Sequence, residues 1–359
     1  MKGGEEHMDI SRIDKNFRRQ EQGRQEGYRY YRIGEEVRLY GLFRDGQGYC
    51  RIPRERAEKM SEGIAQLSRC TAGGRARFST DSAELSLRVR WEGINRMTHM
   101  PLTGSAGFAL SEETGEGRRL VTVMRPEYGE EGGFECRAFL GEGGMRQYIL
   151  HFPLYNAVGS AEIGIREGAC MGAGKEYRNI PPVLYYGSSI TQGGCASRAD
   201  NSYQALIAEW TGVDFFNFGF SGAAKGERAM AEFLASVGCS LLVMDYDHNA
   251  DSAEFLAQTH SAFYAAFRRL APQVPVLFVT KPDIEQDGAA AQRREIVYET
   301  YRSALGRGER VYFQDGAELF GRSDRSHCTV DGTHPNDLGF YRMARVLKGR
   351  IAQILGIGE

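Results

Sequence analysis

Val183-Leu184-Tyr185-Tyr186-Gly187-Ser188-Ser189-Ile190-Thr191-Gln192-Gly193-Gly194 joins a short apolar run to a turn rich in glycine and serine. A short, unbroken run of apolar and aromatic residues suits a strand covered on both faces, and such strands belong to parallel sheets. Similar runs recur at 213–218, 241–244 and 274–279. Between them lie helical periodicities: Tyr203, Leu206, Ile207 and Trp210; then Ala229, Phe233 and Leu234; then Phe255, Phe263, Phe267 and Leu270. A last helix carries Met343, Val346, Leu347 and Ile351. Strands alternating with helices predict a three-layer α/β/α domain.

The first half reads differently. In Glu84-Leu85-Ser86-Leu87-Arg88-Val89-Arg90-Trp91 the apolar residues alternate with polar ones, which places Leu85, Leu87, Val89 and Trp91 on one face of a half-buried strand. A second such run is 147–152, and shorter ones lie at 120–124, 134–140 and 161–165, separated by Gly-rich turns at 114–117, 131–133 and 141–144. Many short strands of this kind predict an antiparallel β-sandwich, jelly-roll-like, over residues 28–174. Residues 1–27 read as a charged N-terminal segment. Gly172, Gly174, Lys175 and Glu176 break the apolar pattern, so the α/β domain is expected over 178–359.

A chain of 359 residues that is 42% hydrophobic can bury two cores. Its 45 basic and 47 acidic residues leave a net charge of -2, with no global field to draw in nucleic acid or an anionic membrane. No apolar run is long enough to span a bilayer. The opening Met1-Lys2-Gly3-Gly4-Glu5-Glu6 lacks the pattern of a secretory signal, so a cytoplasmic location is expected. The 7 cysteines, an odd number without a Cys-x-x-Cys pair, are expected to be reduced and mostly buried.

In an open parallel sheet, functional groups gather beyond the carboxyl ends of the strands. Four loops placed there carry the residue types of acyl transfer: the opening turn with its two serines, Asn217-Phe218-Gly219-Phe220-Ser221-Gly222, Asp245-Tyr246-Asp247-His248-Asn249, and Asp331-Gly332-Thr333-His334-Pro335-Asn336. A serine hydroxyl is a poor nucleophile until an imidazole takes its proton, and a carboxylate must hold that imidazole in one tautomer. Asp331 and His334, three residues apart across a glycine-containing turn, can supply both parts. The oxyanion formed on attack needs donors, which the backbone N–H groups of Ser189 and Gly222 and the Asn249 amide can provide. Each loop also has a plainer reading. Asp-Gly-Thr-His-Pro is a good turn, Asn217-Phe218-Gly219 can simply end a strand, Asn249 can cap a helix beginning near Asp251, and His248 can be a polar loop residue.

The order and spacing of the four loops resemble the SGNH (GDSL-type) hydrolases. The family's first block, Gly-Asp-Ser-Leu or Gly-Asp-Ser-Ile, is similar to Gly187-Ser188-Ser189-Ile190, which puts its nucleophile on Ser189 and leaves Ser188 as a turn residue where aspartate is commoner. The second block's glycine falls on Gly222. The third, Gly-x-Asn-Asp, corresponds loosely to Asp247-His248-Asn249-Ala250, and the fifth, Asp-x-x-His-Pro, is matched by Asp331 to Pro335. The resemblance implies a flavodoxin-like SGNH domain. Upstream, Met97-Thr98-His99-Met100-Pro101-Leu102-Thr103-Gly104, Gly107-Phe108-Ala109-Leu110 and Phe152-Pro153-Leu154-Tyr155-Asn156 resemble the β-sandwich preceding the hydrolase domain in one bacterial subgroup. There Gly-x-Asp-Leu-Tyr is usual, and Ala109 and Ser111 replace its aspartate and tyrosine.

These features imply a serine esterase with the triad Ser189, His334 and Asp331, acting on a small ester, O-acetyl on a sugar by analogy with carbohydrate esterases of similar two-domain build. Such a mechanism needs no cofactor and no metal. A lipase or thioesterase for longer acyl chains is the alternative, with Phe215, Phe216, Phe218 and Phe220 lining an apolar groove. A second alternative is an idle hydrolase whose sandwich binds carbohydrate or assembles with a partner. The sandwich can equally be a lid or a homo-oligomerisation module. Trp91 and Tyr148, in alternating strands, are expected in the core. Substrate identity rests on loop shapes, such as those at 283–290 and 323–329.

Overall fold

Alternation along 84–91 buries Leu85, Leu87, Val89 and Trp91 in one cluster with Phe78, Leu110, Tyr148 and Leu150. The cluster lies between two antiparallel sheets. One runs in the order Tyr28–Arg32, Ser160–Arg166, Glu84–Arg90, Gly133–Phe139, and the other Met171–Ala173, Arg75–Thr80, Arg146–His151, Phe108–Thr114, Gly117–Met124. Two apolar sheet faces closed on each other form the sandwich. The computed structural model describes residues 10, 13–14, 26–127, 129, 131–282 and 288–358. Most of the charged segment 1–27, and residues 283–287 of the loop at 283–290, lie outside the described residues.

The second half forms five parallel strands, β1 (Val183–Gly187), β2 (Phe215–Gly219), β3 (Leu241–Asp245), β4 (Val276–Val279) and β5 (Val311–Gln314), in the order β2-β1-β3-β4-β5. Its helices are α1 (Ser189–Gln192), α2 (Tyr203–Thr211), α3 (Arg228–Val237), α4 (Ala253–Leu270), α5 (Gly288–Gly306) and α6 (Asp337–Leu355). Side chains alternate across the sheet: Val183, Tyr185, Val243 and Leu277 pack with Tyr203, Phe340 and Leu347 of α2 and α6, while Leu184, Tyr186, Leu242 and Phe278 pack with Met230, Phe263 and Val297 of α3, α4 and α5. Both faces are thereby covered, as unbroken apolar runs require. The order reverses direction between β1 and β3, which makes the end of β1 the switch point where a parallel sheet opens a crevice.

Two elements escape the apolar pattern. Strand β5 is an edge strand in which Tyr312 and Phe313 are only half-buried. Helix α5 buries just Ala290, Val297, Thr300 and Ala304, a stripe too small and too polar to register as a face. Strand β4 begins at Val276 rather than 274, because Pro275 has no N–H for a sheet bond. The helix near 251 is capped by Ser252, whose hydroxyl accepts from the Phe255 N–H at 3.2 Å, and not by Asn249. None of the seven cysteines is in a disulfide, and five are buried. Among the described residues no helix is long and apolar enough to cross a membrane.

The sandwich covers the exposed edge at β2. Arg51 is buried, and its guanidinium donates to the carbonyls of Gly219, Asn217 (3.4 Å), Cys70 (2.9 Å) and Leu67 (2.5 Å) while lying 4.4 Å from the Phe220 ring centroid. Burial pulls its pKa down to about 10, still a cation at neutral pH. Arg75 pairs with Asp214 and covers the Phe215 ring at 3.8 Å. At Gly73 a Cβ would stand 2.7 Å from the Asn217 Cβ, so only glycine allows this approach. Replacing Arg51 by alanine strands several buried carbonyls, and a loss of at least about 3 kcal/mol in unfolding free energy is expected. Denaturant melts check this: a loss below about 1 kcal/mol would mean water serves those carbonyls instead.

Candidate active site

The chain leaves β1 through Gly187, where any Cβ would collide with the Thr191 hydroxyl and the Asp245 carbonyl. This packing forces an abrupt turn into α1. Ser188 is its N-cap: the side chain accepts from the Ile190 N–H at 3.1 Å. Aspartate caps helices as well as serine does, which gives the Gly-Ser-Ser wording a physical reason. Ser189 follows as the first helical residue with 7% of its surface exposed, its hydroxyl 2.9 Å from His334 Nε2.

His334 is held by its own turn. Asp331 Oδ1 accepts from the backbone N–H groups of His334 at 2.8 Å and Thr333 at 3.0 Å, and Oδ2 lies 2.7 Å from His334 Nδ1. Partial burial pushes the Asp331 carboxyl up, but those N–H groups and the His334 ring together hold it down to about 2. A carboxylate only accepts, so Nδ1 carries the proton and Nε2 is left as an acceptor for the Ser189 hydroxyl. The turn is tied to the Ser189 loop by the Cys195 N–H, which donates to the Pro335 carbonyl at 3.2 Å. The sequence spacing thus delivers both partners of the imidazole.

The other two loops arrive nearby through hydrogen bonds. Gly222 sits in a left-handed turn with φ of 68°. Among the described residues, neither its N–H nor that of Ser189 finds an acceptor. Asn249 Nδ2 donates to the Phe220 carbonyl at 2.9 Å, which fastens the third loop to the second and leaves one amide N–H over. Gln192, which carries no signal in the sequence, links three segments: its amide donates to the Leu154 carbonyl at 3.2 Å and accepts from the Ser221 N–H at 3.0 Å. Asn217 donates to the Thr191 carbonyl at 2.7 Å. Its signal is a lone amide inside the apolar run Phe215-Phe216-Asn217-Phe218. His99 of the sandwich is exposed and its ring centroid is 6.1 Å from that of His334, tilted by 45°.

Residues 181–352 match the family model of the GDSL-like lipase/acylhydrolases, and residues 29–171 match that of the N-terminus of SGNH hydrolase-type esterases. The chain belongs to the SGNH (GDSL-type) hydrolases. This hydrolase is 25% identical to a protein from Bacteroides ovatus described as a GDSL-like lipase, with a TM-score of 0.84 over 92% of this chain and 99% of that one. A salicylyl-acyltransferase from a tetracycline biosynthetic pathway is 19% identical with a TM-score of 0.75, over 93% and 99% of the two chains. A family two carbohydrate esterase from Clostridium thermocellum is 13% identical with a TM-score of 0.64, over 90% and 99%. No protein of curated function matches in sequence. The hydrolase is an ester hydrolase with an antiparallel first domain and a three-layer second one, as its sequence pattern implies.

One group among the described residues, Asp245, Asp247 and His248, brings metal-ligand atoms within 4.8 Å of one another. Three of its four carboxylate oxygens are engaged, and Asp245 Oδ1 is buried without a hydrogen-bond partner among the described residues. Asp245 Oδ2 accepts from Thr191 Oγ1 (3.0 Å) and Tyr203 OH (3.1 Å), while Asp247 takes the Lys281 N–H (3.1 Å) and faces His248 Nδ1 (3.1 Å). Burial pushes the Asp245 carboxyl up to about 7. These bonds brace β3 and the third loop from below.

Proposed function

We propose that this hydrolase removes short acyl groups, O-acetyl above all, from a carbohydrate through a Ser189-His334-Asp331 triad and an acyl-enzyme. The observation that carries the reading is the unbroken chain of contacts from Ser189 Oγ to His334 Nε2 at 2.9 Å and from His334 Nδ1 to Asp331 at 2.7 Å. Ser189 Oγ attacks the ester carbonyl while its proton passes to Nε2. The imidazolium then protonates the departing alcohol, and water repeats the cycle on the acyl-enzyme. The N–H groups of Ser189 and Gly222, with the second N–H of Asn249, receive the oxyanion. No metal or organic cofactor enters these steps.

Two observations favour a short acyl chain on a sugar over a long one. Phe215, Phe218 and Phe220 are buried in the two cores or under Arg51, and Phe216 stacks on Phe218 at 5.7 Å, so these rings are spent on packing rather than on an acyl groove. The fold of both domains is shared with a family two carbohydrate esterase over 90% of the chain. A series of nitrophenyl esters from acetyl to octanoyl tests the acyl side. Maximal kcat/KM at acetyl, falling by about tenfold or more at octanoyl, is expected, since a longer tail gains none of the roughly 0.8 kcal/mol per methylene that burial in a pocket supplies and crowds the site instead. A maximum at octanoyl would replace this reading with a lipase or thioesterase.

A further inference from the structure

We infer that the sandwich domain completes the substrate site, with His99 as the residue that binds a hydroxyl of the alcohol half of the ester; this rests on the esterase reading. The departing oxygen must take its proton from His334 Nε2 and therefore lies within hydrogen-bond reach of that atom. The remainder of the alcohol extends away from Ser189 on that side. On the sandwich, the exposed imidazole of His99 has its ring centroid 6.1 Å from that of His334. A neutral imidazole offers one donor and one acceptor, which suits a polyhydroxylated alcohol.

The loop that carries His99 is seated firmly. Met97 and Met100 on either side of it pack into the hydrolase core that holds Tyr203 and Phe340. Thr103 Oγ1 donates to the Ser197 carbonyl at 2.6 Å, and Gly104 lies so close to the Ala196 carbonyl that a Cβ would collide with it. Next to it, the Tyr155 N–H donates to the Ser105 carbonyl at 3.1 Å, and the Tyr155 hydroxyl to the Ser189 carbonyl at 3.3 Å. Side-chain packing of Met97 and Met100, with the Thr103 and Gly104 contacts that follow, therefore fixes the loop that carries His99. A group held this way acts without first having to be ordered.

The test compares two acetyl esters that share the acyl group and differ in the alcohol, acetylated xylotriose and ethyl acetate, with the full-length wild type and His99→Ala, His99→Gln and Ser189→Ala. His99→Ala is expected to lower the ratio of kcat/KM for the sugar ester over that for ethyl acetate by about tenfold, the worth of one hydrogen bond. The loss falls on KM for the sugar ester. His99→Gln, which keeps a donor and an acceptor, restores most of the ratio. An unchanged ratio in His99→Ala, or a His99→Gln that restores none of a lost ratio, overturns the assignment of His99 while leaving the esterase reading intact. A wild type that releases no acetate from either ester in a Ser189-dependent way overturns that reading, and the role of His99 with it.

Discussion

Replacing Ser189 by alanine is expected to reduce kcat on an acetyl ester by about 10⁶-fold, because removing the nucleophile leaves only binding and the oxyanion donors. The neighbouring serine supplies the control. Ser188 holds the Ile190 N–H as the α1 cap, so Ser188→Ala should cost about 1 kcal/mol of stability and leave the nucleophile in the site. The Ser189 hydroxyl makes no such bond to the turn, and Ser189→Ala should melt like the parent. Acetate release and thermal melts on the two variants separate the roles. If Ser188→Ala lost activity by the larger factor, the turn would be presenting the other hydroxyl, and the assignment of the nucleophile would fall.

Asp331 is the other position where a single substitution should be severe. Asparagine there retains the size of the side chain but can present an N–H to His334 Nδ1, which favours the tautomer whose Nε2–H faces Ser189 and cannot accept its proton. A fall in kcat of about 10⁴-fold is expected. Its measurement should be joined to a pH–rate profile. The Asp331 carboxyl is lowered from 3.8 to about 2. A depressed pKa means a contribution to stability that is present above the ordinary value and lost as pH falls through about 2. Between pH 5 and 8 Asp331 is ionised throughout, so a rise in rate over that window comes from another group, His334 acting as base or Asp245, which burial pushes up to about 7. A flat profile from pH 5 to 8 would remove His334 as the base. A rising limb that persists in Asp331→Asn at much lower amplitude would agree with His334 as the base and Asp331 as the group that orients it.

Much of the site is legible from local spacing. Asp331 and His334 lie in one turn, so a three-residue separation suffices to place carboxylate, imidazole and backbone N–H groups within hydrogen-bond distance. Ser188 and Ser189 likewise sit on one capped turn, where chain order alone decides which serine caps and which faces out. The long-range partners are another matter. Gln192 reads as one polar residue in a Gly-rich loop, and only the approach of Leu154 and Ser221 from two other segments reveals it as a brace. Arg51 looks like a surface cation in the charged first half of the chain, yet it is buried against the carbonyls of β2. His99 carries no chemical signal in its own neighbourhood; it gains one from the ring of His334, 235 residues later in the chain.

Both architectures are already written in the order of the residues, because period-two alternation and unbroken apolar runs each bury their side chains in one kind of sheet. The same holds for the Asp331–His334 turn and the Ser188–Ser189 turn, whose geometry depends on caps, glycines and spacings of a few residues. How the two turns meet, how the first domain covers the β2 edge, and which of its side chains reaches the site emerge only once the chain has folded. Those outcomes depend on contacts between segments far apart in the chain, such as Arg51 with Gly219 and Thr103 with Ser197. A carbonyl becomes a partner for a distant guanidinium only when the fold removes water from both, and no local pattern of residues records that event.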